Sequence, residues 1–251
     1  MFWKKHKWKI IVPVILVVLA AVLFWYGGDA PGLQGWRVES RAGTGKAAMS
    51  AEEKMSYAAS LAGENTGAQG DAAYSAQQGM VLDPETGLDK YGTSAVPEGK
   101  PAPVEPEDAK ITNVEHTCTI SISCATILDN MEWLAPEKRE LVPEDGWVLK
   151  PIEVTFYEGE SAFDVLRRTC IGQGIHLEFA NTPIYNSAYI EGIHNLYEFD
   201  CGQTSGWMFC VNGWFPNYGC SRYAMKDGDV LEWMYTCSLG VDIGGYYAVG
   251  G

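Results

Sequence analysis

Alternation of apolar and polar positions is strongest over residues 114–124, where Cys118, Ile120, Ile122 and Cys124 share one face and Thr119, Ser121 and Ser123 the other. A period of two is that of a β-strand with one buried side. Residues 148–157 (VLKPIEVTFY) predict a second strand, ended by Glu158-Gly159. The period then changes. Ser161 caps a predicted helix, with Asp164 three residues on completing a capping-box variant. Phe163, Leu166, Cys170 and Ile171 form its apolar side, Arg167 and Arg168 point outward, and Gly172 and Gly174 stop it. Residues 176–179 and 187–193 supply further strands. Asn212-Gly213 between apolar flanks predicts a two-residue hairpin, because both turn positions need positive φ. Asp227-Gly228-Asp229 turns the chain into a closing strand with Val230, Leu231, Trp233 and Tyr235.

The run GCSRYAMKDGDVLEW, Gly219 to Trp233, resembles the closing segment of the C-terminal domain of transcobalamin-type vitamin B12 carriers, with Gly219, Tyr223, Asp227, Gly228, Val230 and Glu232 at the matching positions. The resemblance covers residues 111–242. Bacterial surface proteins carrying a lone domain of unknown function of this kind are similar to the soluble-ligand-binding β-grasp superfamily. Strand, strand, helix, then strands is also the element order of a β-grasp. The expected fold class is α+β: a β-grasp-like mixed sheet packed on one helix, preceded by a transmembrane helix and a disordered stalk. In such a fold the first and last strands run parallel and adjacent, which predicts a Cys124–Cys237 disulfide. A second bridge, Cys201–Cys220, would tie the loop before the hairpin to the loop after it.

Lys4, Lys5, Lys7 and Lys9 precede an uncharged apolar run over residues 10–26, flanked by Trp3, Trp8, Trp25 and Tyr26. That run just reaches across a thin hydrocarbon core, and the leading lysines hold the N-terminus in the cytoplasm. Bulky Phe24-Trp25-Tyr26 disfavours a cleaved signal peptide, which needs small residues at its cut. The expected organisation is a cytoplasmic stub and signal-anchor over residues 1–27, a low-complexity stalk over 28–110, and the folded domain over 111–251. Gly, Ala, Ser, Glu and Gln dominate the stalk, a composition that buries too little apolar surface to offset chain entropy. A marginal helix is predicted over residues 46–61, and VPEGKPAPVEPE over 96–107 predicts a stiff, extended spacer.

Charge narrows the partners. The chain has 18 Lys+Arg against 32 Asp+Glu, a net charge of −14, and from Ile111 onward seven basic residues face nineteen acidic ones. Nucleic acid is disfavoured as a partner of the domain. All seven cysteines follow residue 110, and their spacing includes no CxxC, so zinc is not expected and the thiols read as structural. His116, His176 and His194 are far apart in sequence and carry no catalytic motif. No catalytic residue, metal or resident cofactor is expected, and the chain is not read as an enzyme.

The aromatic residues remain. Trp207 and Phe209 share a strand face and suit the core, whereas Trp214, Phe215 and Tyr218 crowd a loop with Asn217 and Pro216. Some rings on such a turn should be exposed, and clustered exposed rings mark binding sites. Tyr185 and Tyr189 reach the same rim if their loop folds over it. The candidate ligand-binding set is therefore Tyr185, Tyr189, Trp207, Trp214, Phe215 and Tyr218. The expected function is a membrane-anchored, single-pass module whose extracellular domain binds a soluble small molecule. The resemblance implies cobalamin or another tetrapyrrole as ligand, although the carriers clamp cobalamin against a helical barrel that these 251 residues do not encode. The alternative is an adhesion or assembly module whose rings bind a surface protein or cell-wall glycan.

Overall fold

Strands β1 (Glu115–Ser123) and β2 (Trp147–Tyr157), helix α2 (Ala162–Gln173), strands β3 (Leu177–Thr182), β4 (Ser187–Ile193), β5 (Leu196–Tyr197), β6 (Gly206–Val211) and β7 (Val230–Thr236) follow one another along the chain, with a short helix α1 (Ala72–Gln77) before them. They belong to a computed structural model that describes residues 70–248, all within one compact unit. The expected membrane helix over 10–26 and the expected helix over 46–61 lie outside the described residues. Among the described residues no helix is long and apolar enough to cross a membrane.

The architecture is mixed α+β. Four strands form a sheet in the order β2-β1-β7-β6, and β1 and β7 are parallel neighbours at its middle, with Thr119 opposite Val230 and Ser123 opposite Met234. β2 and β6 pair antiparallel on either side. The opening and closing strands thus meet as expected. β3, β4 and β5 do not join them; they form a second, three-stranded antiparallel sheet, where one mixed sheet was anticipated. The physical reason is local pairing: short turns at residues 183–186 and 194–195 let these strands satisfy one another.

Helix α2 has the full reciprocal capping box: the Ser161 hydroxyl accepts from the Asp164 N–H, and the Asp164 carboxylate accepts from the Ser161 N–H. Gly174 ends it in the left-handed conformation, at φ 66°. Ala162, Val165, Leu166, Thr169 and Cys170 are its buried stripe, packed with Ile120, Ile122, Phe156, Leu231 and Trp233 in the main core. Ile171, expected on that side, is 77% exposed. It lies about 100° round the helix from Cys170, off a stripe that repeats at three and four residues.

Asn212 and Gly213 hold φ 51° and 73°, as the turn demands, but the hairpin lasts a single pair, Val211 with Trp214. The chain then leaves the sheet, because the Asn212 side chain bridges instead to β7, accepting from the Val230 N–H and donating to Asp229. β6 takes β7 as its partner, so residues 215–229 form a long excursion over the sheet.

All seven cysteines are buried free thiols. The anticipated pairings are not formed. Cys124 and Cys237 lie just past the paired ends of β1 and β7, where the register stops at Ser123 with Met234, and neither is bridged. Cys201 sits with Cys124 and Cys237 in a smaller core cluster, whereas Cys220 lies in the main one.

The difference between the helix's two isoleucine-sized positions is testable. Leu166→Ala should cost about 2–5 kcal/mol of unfolding free energy in urea titrations, and Ile171→Ala should change it by less than about 0.5 kcal/mol.

A candidate ligand groove walled by the proline-rich arm

The stalk expectation ends where the structure describes the chain: residues 70–110 pack on the domain. Asp71 caps α1, and the buried Ser75 hydroxyl accepts from the Val96 N–H at 2.9 Å, closing a loop whose Val96 and Met80 are buried in the main core. Asp89 then organises a tight turn, its Oδ1 accepting from the N–H groups of Tyr91 and Thr93, both at 2.8 Å. Its other oxygen meets Arg222.

Arg222 is 1% exposed, and its guanidinium is the anchor of the arm. It donates to Asp89 Oδ2 at 2.6 Å, to Glu105 Oε1 at 2.7 Å and to the Thr93 hydroxyl at 2.6 Å, and it stacks over the Tyr91 ring. The Val104 N–H donates to the Arg222 carbonyl. Burial by itself would raise the Asp89 carboxyl; the Arg222 hydrogen bond and the N–H groups of Thr93 and Tyr91 outweigh it and hold the group below its ordinary value. The arm alone buries too little to order itself, as its composition implies, but its apolar and charged groups find their partners on the domain.

The docked arm creates a groove of about 500 Å³. Val104, Pro106, Ala109 and Ile111 form its arm wall; Ser161, Phe163 and Asp164 come from the start of α2, Pro183 and Asn186 from the β3–β4 turn, and Ala188 from β4. Asn186, at φ 49°, closes the rim by donating to Glu105 at 2.7 Å and Glu107 at 2.9 Å. A cleft of about 190 Å³ adjoins it, sharing Thr182, Ser187 and Ala188, and is lined by Tyr91, Tyr185, Tyr189, Asn217, Tyr218 and Arg222. Two buried polar atoms on its walls, Arg222 Nε and Asn217 Oδ1, make no hydrogen bond to any described atom.

Gly219 makes the close approach here possible. Its φ is an ordinary −70°, but a Cβ would fall 2.2 Å from the Ser187 hydroxyl oxygen. The two backbones are cross-linked at that point, Ser187 accepting from the Ser221 N–H and Ser221 from the Ala188 N–H.

Of the six candidate ligand-binding residues, Tyr185, Tyr189 and Tyr218 converge on the smaller cleft. Tyr185 is 53% and Tyr189 47% exposed. Trp214, Phe215 and Tyr218, expected at an exposed rim, are buried at 5%, 4% and 7%. The arm covers them: the Tyr218 hydroxyl donates to the Pro101 carbonyl, Asn217 donates to Ser94, and Lys100 lies over the Trp214 ring. The backbone at Gly245 closes against Phe215. Trp207 is partly buried, donating to the Leu196 carbonyl and meeting Tyr235 edge-on. Trp214 and Phe215 are thus interior residues, Tyr218 is a buried ring on the cleft wall, and Trp207 packs against the core. Arg222, Asp89 and Glu105 were not singled out from sequence, because the signal was three charges spread over more than a hundred residues.

The residues that carry the B12-carrier resemblance are structural here. The Asp227 carboxylate accepts from the Thr117 N–H and the Gly228 N–H donates to the Thr117 carbonyl, docking the turn on β1, while Tyr223 is a core ring. Burial pushes the thiols of Cys170, Cys210 and Cys220 up to about 12, so they stay protonated at neutral pH. Among the described residues no group of three or more His, Cys, Asp or Glu is placed to hold a metal ion.

The family described as a domain of unknown function (DUF4430) matches residues 159–237, from α2 to the end of β7. No curated protein matches the chain. Among solved structures, haptocorrin in complex with Cbi is similar at 13% identity and a TM-score of 0.36, over 50% of this chain and 26% of haptocorrin. A candidate metal binding protein from Ruminococcus gnavus ATCC 29149 is similar at 12% identity and a TM-score of 0.31, over 48% of this chain and 96% of that one. The chain therefore spans about a quarter of the haptocorrin it matches.

Arg222→Ala would leave Asp89 and Glu105 charged and uncompensated at a closed interface. The expected cost is about 3–5 kcal/mol, read as new protease cuts between residues 89 and 107. Unchanged cleavage would contradict the anchor. The Asp89 carboxyl also predicts a pH effect. Its folded value lies below the unfolded one, so its contribution is present above about pH 4 and is lost as pH falls through the folded value. Protection of the Tyr91 and Thr93 amides, taken relative to the intrinsic exchange rate at each pH, should fall on acidification, and in Asp89→Asn this pH dependence should vanish.

Proposed function

We propose that the described residues form a β-grasp ligand-binding module that captures a soluble small molecule non-covalently in the groove beneath the arm. One observation carries this reading: a groove of about 500 Å³, mostly apolar, adjoined by a tyrosine-lined cleft and walled by a segment held in place through a buried charge. Concave, apolar sites with a few convergent polar groups are the common form of small-molecule sites. The parallel central pair β1–β7, with a helix between β2 and the later strands, supports the β-grasp assignment. Protonated, buried thiols support a non-catalytic role, because a nucleophilic cysteine needs a lowered pKa.

In this reading the N-terminal segment anchors the chain in the cell membrane as a single pass and displays the domain outside, the arm leading from the stalk into the site. A tetrapyrrole is the ligand class that the B12-carrier resemblance suggests, with cobalamin as the first to try. A second reading rests on Tyr185 and Tyr189, exposed rings on the cleft, with the exposed Ile184 next to Tyr185 in the chain. These rings suit a surface protein or a glycan as partner.

Titration of the purified chain with cobalamin, cobinamide and haem, followed by absorbance and tryptophan fluorescence, tests the first reading. Binding at micromolar ligand is expected. Tyr185→Ala, at an exposed and replaceable ring, should weaken it about tenfold, the equivalent of 1.4 kcal/mol. No response to any of the three ligands would remove the tetrapyrrole, and retained affinity in Tyr185→Ala would remove the cleft from the site.

A further inference from the structure

One pair of thiols is placed for chemistry that neither the groove nor the fold uses. Cys201 lies in the irregular loop between β5 and β6, and Cys237 is the first residue past β7. The β6–β7 register pairs Gly206 with Thr236, and the Thr204 hydroxyl donates to the Cys237 carbonyl at 2.8 Å, so the loop folds directly over the strand's end. Both side chains are within the small core cluster, at the level of complete burial. The Cys201 thiol donates to the Asn130 carbonyl at 3.4 Å and the Cys237 thiol to the Thr126 hydroxyl at 3.9 Å, so both sulfurs face the same short helical turn over residues 125–130. The neighbouring Cys201 thiol first, and burial second, raise the Cys237 thiol far above its ordinary value.

We infer that Cys201 and Cys237 are a disulfide-forming pair, closing the β5–β6 loop onto the end of β7 when the chain meets a thiol oxidant. Cys220 is set apart by its place in the other core cluster, and Cys124, which shares the small cluster, is the competing partner that the peptide map distinguishes. A low-molecular-weight disulfide such as glutathione disulfide supplies the oxidant. One protein thiol gives up its proton and attacks a glutathione sulfur, forming a mixed disulfide and releasing one glutathione thiolate. The second protein thiolate attacks the mixed disulfide, the protein S–S bond forms, and the second glutathione leaves. Two protons and two electrons leave the protein, and one glutathione disulfide is reduced. Access comes through the loop, where Phe199 and Gly202 hold φ of 64° and 100°. Phe199 is 60% exposed, so the loop borders solvent beside the pair.

The bridge would close a loop within one sheet edge, an enclosure that in chain-entropy terms raises the unfolding midpoint by on the order of 10 °C. The test uses the full chain, equilibrated with glutathione disulfide or with dithiothreitol, alkylated under denaturing conditions and digested for mass spectrometry. The expected product of the oxidised sample is one peptide pair linking Cys201 to Cys237, absent after reduction. A link between Cys124 and Cys237 or between Cys201 and Cys220, or seven alkylated thiols after oxidation, would overturn the inference. In parallel, the gap in unfolding midpoint between oxidised and reduced protein should disappear in Cys201→Ser and Cys237→Ser and persist in Cys124→Ser. Because each variant is compared with itself, lowered stability of a variant does not decide the outcome, and the wild-type peptide map stands without them.

Discussion

A single buried guanidinium joins the two halves of the described chain. Arg222 sits on the excursion between β6 and β7, and its partners Asp89, Thr93 and Glu105 all come from the proline-rich arm. A buried arginine without partners is costly, so the domain side is incomplete until the arm docks. The arm in turn has no core of its own; its Val96 and Met80 are buried only within the domain's main cluster. Each half supplies what the other lacks, and the groove exists only where they meet.

This interdependence explains which parts of the molecule were legible in the sequence. β1, β2, α2, β4 and β7 announce themselves through local period and capping, because each buries one face against neighbours that any such pattern recruits. The Asp227-Gly228 turn and the Ser161–Asp164 cap are equally local. The parallel pairing of β1 with β7 followed from element order, and the backbone carries it.

The arm did not announce itself. Glycine, alanine and proline dominate it, and the few residues that fix it, Asp89, Thr93, Val96 and Glu105, are ordinary choices for a linker. Their meaning depends on Arg222, more than a hundred positions away. The error over Trp214, Phe215 and Tyr218 has the same origin: rings on a turn look exposed when the segment that covers them is taken for a spacer. Ile171 and the missing second hairpin strand were smaller failures, of helical phase and of a side chain that bonds across strands in place of a neighbour.

The central claim is that residues 89–105 are a built wall of the domain rather than a tether. Hydrogen exchange of the intact chain at neutral pH measures this directly. The amides of Asp89, Thr93 and Val104 donate to acceptors within the turn or on the domain. They should exchange orders of magnitude more slowly than in the free peptide and approach the protection of β1. Exchange at free-peptide rates across residues 89–105, with β1 still protected, would contradict the account.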